Sequence, residues 1–182
     1  DEPDMDANHM MQREMLAAVL RSGHKMAQII EELLLLAQVR RAEVSHTVVD
    51  MAEIIAEVQV RVEPLLDERA GELFVGNPEQ WPPALGYAPW IEEVWYNYIS
   101  NAIKYGGNPP RVELGAERQS DNRVCFWVSD NGQGLSAAQM EKLFAEFTRL
   151  HSRGSGGHGL GLSIAKRIVA NLVQNNVPTF GD

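Results

Sequence analysis

Residues 90 to 105, WIEEVWYNYISNAIKY, constrain the fold more than any other stretch of the chain. Their apolar positions read as a helix meant to be buried. Yet Asn97, Asn101 and Lys104 stand four and three residues apart, which places them on one side of that helix. Asparagine gains little in a helix interior and is costly to desolvate without partners. The polar face therefore needs partners of its own. An asparagine carbonyl oxygen is a suitable hard ligand for magnesium, and a lysine ammonium suits phosphate.

The rest of the chain supplies elements to enclose that helix. Residues 10 to about 42 read as one long amphipathic helix. Met15, Val19, Met26, Ile30, Leu33 and Ala37 recur at helical steps, and Leu16, Ile29 and Leu34 widen the stripe. A stripe that broad suits a member of a helical bundle, and a homodimer through this N-terminal helix is the expected way to cover it. Packing within its own chain is the alternative. Asp50, with Glu53 three positions on, predicts the start of a second helix, whose apolar face is Ile54, Ile55, Val58, Val62 and Leu65. Pro64 is expected to kink or weaken it. GELFVGN ends that helix and starts a short strand, and the proline-rich PEQWPPALGYAP reads as a connection.

After residue 105 come two strand-like runs, RVELGAE and RVCFWVSD, joined by RQSDN. A glycine turn, DNGQGL, leads to a helix over 137–147, then a glycine-rich loop and a last helix from Leu160 to about Val173. Helices alternating with antiparallel strands predict an α/β fold. The expected form is a two-layer sandwich of a mixed, mainly antiparallel sheet and three helices, preceded by the long N-terminal helix. The expected division is residues 1–45 and 46–182.

Bulk properties exclude several classes. A net charge of −9 argues against nucleic acid as the main partner. No apolar run approaches a membrane span, the acidic start DEPDMD is unlike a signal peptide, and a single cysteine forbids an internal disulfide. The expectation is a cytoplasmic chain, with the membrane attachment of any parent protein left open. Cys125 lies in a strand-like run and reads as a buried small hydrophobe.

Three separated segments share one kind of chemistry. The first is the face of Asn97, Asn101 and Lys104. In the second, DNGQGL, Asp130 at a strand end could accept from an exocyclic amine such as that of adenine, although taken alone this is simply a good turn. In the third, RGSGGHGLGLSIAKRI, glycines feed a helix N-terminus, whose free amides and positive dipole end attract anions. Alone such a loop is often a linker. Together the three describe a nucleotide cradle: Asp130 for the base, the loop for the phosphates, Asn101 for magnesium.

This set resembles the sensor histidine kinases of two-component signalling, within the superfamily of gyrase-type ATPases. NYISNAIKY looks like that family's N box, DNGQGL its G1 box, LFAEFTRL its F box and GHGLGLSIAKRIV its G2 box. SGHKMAQIIEELLLLAQVRRAEV resembles the second helix of the family's dimerisation and phosphotransfer domain. The resemblance implies an ATP-binding sandwich with a flexible lid between residues 147 and 157, and ATP and Mg2+ as cofactors. It implies that Asn101 holds the metal, with Asn97 assisting near the phosphates, that Lys104 touches phosphate, and that Tyr105 packs near the nucleotide. Asp130 would bind the adenine amine, with Gly132 and Gly134 giving close approach. Phe144 and Phe147 would anchor the lid, Arg149 would reach the γ-phosphate, and Gly157, Gly159, Gly161 and Leu162 would wrap the phosphate tail. His158 stands where the family often has Ser or Thr, and it carries no hydroxyl.

The resemblance also bears on the reaction. Hydrolases of the superfamily place a glutamate, as general base, four residues before the magnesium asparagine, where this chain has Asn97. An amide takes no proton, which favours phosphotransfer over hydrolysis. The family's acceptor histidine is usually followed by an acidic residue. His9, His24, His46, His151 and His158 are followed by Met, Lys, Thr, Ser and Gly, so none fits. The acceptor-histidine helix is therefore expected to precede residue 1, and the ending NLVQNNVPTFGD to leave the sheet shortened. The expected partners are that acceptor helix, a response regulator receiver domain and a second copy of the chain. The alternative is a regulatory or dimerisation module of the same fold that binds nucleotide without kinase activity. A serine kinase of the anti-sigma type is disfavoured by the long first helix.

Overall fold

The computed structural model describes residues 2–41, 44–120, 123–143 and 160–174. It divides into two compact units, Asp1–Gln38 and Val39–Asp182. The first is built from α1 (Glu2–Arg41), which continues into the second. Along α1, Met15, Leu16, Val19, Met26, Ile30 and Leu34 are all exposed, so the stripe read from the sequence is uncovered in the single chain. None of the described helices is long and apolar enough to cross a membrane.

The second unit runs β1 (Thr47–Val49), α2 (Met51–Glu68), β2 (Glu72–Val75), a 3-10 turn (Pro78–Gln80), β3 (Ala84–Gly86), α3 (Ala88–Tyr105), β4 (Arg111–Arg118), β5 (Val124–Asp130), α4 (Ala137–Leu143) and α5 (Gly161–Gln174). Strands β2, β4 and β5 form one sheet in that order, parallel between β2 and β4 and antiparallel between β4 and β5. A separate antiparallel ribbon joins β1 to β3, with Val48 opposite Leu85. Neither strand was expected, and β3 lies inside the segment read as a connection. Three residues are too few to show a two-residue period.

Local chemistry explains where the helices begin. The Asp50 carboxylate accepts from the backbone N–H of Ala52 and of Glu53 at 3.0 and 3.1 Å, satisfying two donors that the helix leaves without partners. Pro64 does not end α2. It and Val60, whose carbonyl loses its helical partner, are both exposed, so water can supply the missing bond. Helix α3 starts two positions earlier than expected, with a proline in its first turn.

Helix α3 is the centre of the core, packing against α2, α5, β4 and β5. Its buried side comprises Trp90, Ile91, Val94, Trp95, Ile99, Ala102 and Ile103. Facing it are Ile55, Val58 and Val62 of α2, Val112 and Leu114 of β4, Phe126 of β5, and Ile164 and Ile168 of α5. Cys125 alternates with Val124 and Phe126 on β5, so it points away from the helices and is half-buried rather than buried.

On the surface, Arg61 of α2 clasps α3. Its guanidinium pairs with Glu92 and, at 2.8 Å, with Glu93, and lies 4.1 Å above the Tyr96 ring. Burial alone would lower its pKa, but Glu93, by charge and hydrogen bond, and Glu92 outweigh it and hold the group above its ordinary value. The side chain is 37% exposed, so solvent screens much of the attraction. Arg61→Met, which keeps an apolar stem, should cost about 1 kcal/mol. The check is a thermal melt, in which the gap from the unsubstituted chain should narrow as salt is added. An unchanged melting temperature at low salt would count against the clasp.

Candidate functional site: the polar face of α3

Along one edge of its buried stripe, in line with Trp90 and Val94, α3 carries Asn97 and Asn101, with Lys104 next to them, all half-buried, and Tyr105, 44% exposed, at its end. Asn97 is oriented by its own helix: Nδ2 donates to the Glu93 carbonyl at 2.8 Å. Its Oδ1 lies against Gly161, the first residue of α5, so closely that a Cβ at 161 would overlap it. A side chain there would have to displace the Asn97 amide. The start of α5 is secured by Leu160, which is fully buried and whose carbonyl accepts from Ser163 Oγ at 2.7 Å and from Ile164 N at 2.9 Å. Leu162 follows, half-buried. The first amides of α5 thus sit beside Asn97, at the positive end of a 14-residue helix.

Gly161→Ala tests this approach. Alanine in place of glycine favours a helix by about 1 kcal/mol, whereas overpacking costs about 1–3 kcal/mol. Overpacking should win, and the variant should melt below the unsubstituted chain. Adding Asn97→Ala to it should recover part of the loss. A variant that melts higher would show that the contact is loose.

The other end of the site is built at the C-terminus of α3. Asp130 closes β5 and is exposed, and its Oδ1 accepts from the Gly132 amide at 2.7 Å, which folds the chain back tightly. A Cβ on Gly132 would come within 3.1 Å of the Tyr105 carbonyl and 3.2 Å of Gly106 Cα. The DNG turn therefore rests on the last residue of α3 and the one after it. Gly134 adopts φ +71°, a left-handed conformation suited to glycine. A hollow of about 270 Å³ also touches Asp130, but it lies beside β2, β4 and β5 and no α3 residue lines it.

Two distant segments thus meet α3 about 12 Å apart along its axis, one at Asn97 and one at Tyr105, with Asn101 and Lys104 between. Phe144, Phe147, Arg149, Gly157, His158 and Gly159 lie outside the described residues. Sequence reasoning missed two residues that hold the site. Arg69, at the end of α2, donates to the Lys104 carbonyl at 3.0 Å, and no sequence signal marks it. Asn131 bonds the segment after α3 and was read only as part of a turn.

A sandwich whose central helix carries an amide-rich face between a glycine-led helix start and a carboxylate turn defines a class of nucleotide-binding ATPase folds. Residues 86–178, just over half of the chain, match the family described as histidine kinase-, DNA gyrase B-, and HSP90-like ATPase, and the chain belongs to that family. Among curated relatives, the phytochrome-like protein Cph1 of Synechocystis is 31% identical over 146 residues, which is 79% of this chain and 19% of that protein. The sensor-like histidine kinase SenX3 of Mycolicibacterium smegmatis is 29% identical over 158 residues, 84% of this chain and 41% of that one. The chain thus spans well under half the length of either. Among solved structures, full-length ShkA in complex with AMPPNP superposes with a TM-score of 0.74 at 26% identity, covering 89% of this chain and 34% of ShkA.

Proposed function

We propose that this chain is the ATP-binding catalytic part of a sensor histidine kinase and transfers the γ-phosphoryl group of ATP to a histidine other than its own five. The convergence of the Asp130 turn and the start of α5 on the polar face of α3 carries this reading. An elongated ligand with a base at one end and a polyphosphate at the other matches that layout. Asp130 accepts from the adenine amine, Tyr105 packs near the nucleotide, and Gly132 and Gly134 let the backbone come close. Lys104 meets phosphate, and the first amides of α5, at Gly161 and Leu162, meet the phosphate tail. Arg149, Phe147, Gly157 and Gly159 complete the lid and phosphate loop in this proposal.

Mg2+ fits the donors present. Asn101 offers amide oxygen, with Asn97 assisting near the phosphates, and among the described residues no cluster of His, Cys, Asp or Glu is arranged to hold a metal. The ion would draw its remaining ligands from phosphate and water, and when bound it neutralises phosphate charge. Asn97 cannot act as a general base, so water remains a weak nucleophile. In transfer, the bond from γ-phosphorus to the ADP oxygen breaks and one to an imidazole nitrogen forms. Positioning and charge neutralisation supply most of the rate.

Homodimerisation through the exposed face of α1, a response regulator receiver domain as phosphoryl acceptor, and a cytoplasmic setting complete the proposal. Mixing the chain with magnesium and γ-labelled ATP, with and without an acceptor-helix domain from a related kinase, tests it. Label on that domain supports the kinase reading. Binding without transfer moves the chain to the alternative, a regulatory or dimerisation module. No binding overturns both.

A further inference from the structure

The short segment from Gly106 to Arg111 links α3 to β4, and it has little secondary structure to hold it. Backbone bonds tie Gly106 N to the Ala102 carbonyl and the Pro110 carbonyl to Glu72 N, and one side chain grips the rest of it. Asn131 Oδ1 accepts from Gly107 N and from Arg111 N, each at 2.9 Å, and Asn131 Nδ2 donates to the Pro109 carbonyl at 3.1 Å. A single amide thus joins both ends and the middle of the segment. The fit is close: a Cβ on Gly107 would overlap the Asn131 amide. Asn131 stands between Asp130 and Gly132, while the segment it grips begins directly after Tyr105.

We infer that Asn131 is a positioning residue that locks the base end of the nucleotide site. It touches neither the phosphates nor the reacting atoms. Its role is to fix the end of α3, and Tyr105 with it, against the strand end that presents Asp130. The inference rests on the nucleotide reading proposed for this site and adds to it a specificity-determining residue. Without the clip, Asp130 and Tyr105 are each still present, and the Gly132 contact and the β4–β5 pairing remain, but their separation is set less tightly. Recognition of the base should then weaken, whereas binding of a bare polyphosphate, which meets the other end of α3, should not.

The full chain should be titrated with ATP, GTP and inorganic triphosphate in the presence of magnesium, alongside thermal melts. Asn131→Ala should weaken ATP binding about tenfold, shrink the preference for ATP over GTP, and leave triphosphate affinity within a factor of two. Asn131→Asp keeps the acceptor for Gly107 and Arg111 and loses only the donor to Pro109, so it should fall between. Gly107→Ala leaves Asn131 in place but drives a methyl group into its amide, and should reproduce the alanine pattern by a separate route. ATP affinity unchanged in both Asn131→Ala and Gly107→Ala would overturn the inference while leaving the nucleotide reading intact. So would equal losses for ATP and triphosphate, or losses that track unfolding in both variants, which would make Asn131 a fold residue only. Failure of the unsubstituted chain to bind ATP would overturn the nucleotide reading together with this inference.

Discussion

Asp130→Asn should lower the affinity for adenine nucleotides on the order of 100-fold. The substitution is nearly isosteric and keeps an oxygen to accept from the Gly132 amide, so the turn beside Tyr105 should hold. What changes is the second atom of the side chain, from a charged acceptor to a neutral donor. If Asp130 meets the adenine amine as proposed, that amine also donates, so the hydrogen bond is lost and two donors are left facing each other. Losing a charge-assisted bond and stranding its partner costs about 3 kcal/mol, which corresponds to roughly 100-fold in affinity. Calorimetric titration with ATP and magnesium reads the effect, and a melt confirms that the fold persists. Triphosphate binding should change little. Undiminished ATP affinity would remove the adenine role from Asp130.

Trp95→Ala should remove about 4 kcal/mol of stability, a large part of the roughly 5–15 kcal/mol that holds a typical domain together. Trp95 is 2% exposed, and its ring stacks on Trp81 with centroids 5.8 Å apart and meets the edge of Phe126 at 6.2 Å. Its Nε1 donates to Met51 Sδ at 3.2 Å, which ties α3 to the first residue of α2. Truncation opens a cavity between helix and sheet and leaves no side chain to fill it. Trp95→Phe keeps an aromatic contact and should lose less than half as much. Urea unfolding followed by far-ultraviolet circular dichroism measures both. A loss under about 1 kcal/mol for the alanine variant would show that this aromatic cluster is not the core's anchor. The same residue bears on the proposed site, because the helix it anchors carries Asn97, Asn101 and Lys104. If the nucleotide reading holds, ATP should restore part of the lost stability by binding only the folded form.

Much of this architecture was legible along the chain. The two-layer α/β sandwich follows from segments whose apolar spacing switches between helical and alternating periods, and the structure bears it out. Asp50 signals its helix because a capping carboxylate acts within three residues, a range that a local pattern captures. The polar face of α3 was equally visible, since four- and three-residue spacings place Asn97, Asn101 and Lys104 together whatever surrounds the helix.

Other features had no local signature. The pairing of β1 with β3 joins two three-residue stretches far apart in sequence, each too short to display its own period. Pro64 argued for a weakened helix from its missing N–H, but whether water can replace that bond depends on which way the surrounding surface faces. Cys125 was expected inside, and the facing of β5 put it on the side away from the helices. Asn131 looked like an ordinary turn residue until the chain brought Gly107, Pro109 and Arg111 within reach of its amide.

The order of residues by itself determined the helices and the strands β2, β4 and β5, the polar stripe of α3, and the glycines and carboxylate able to serve a nucleotide, because propensity, periodicity and capping all act over a few neighbours. Only the tertiary structure decided that Gly161 meets Asn97 and that the turn after Asp130 meets Tyr105. Those contacts depend on how the hydrophobic sides of α3, α5 and the sheet pack against one another, and burial of apolar surface carries no address along the chain.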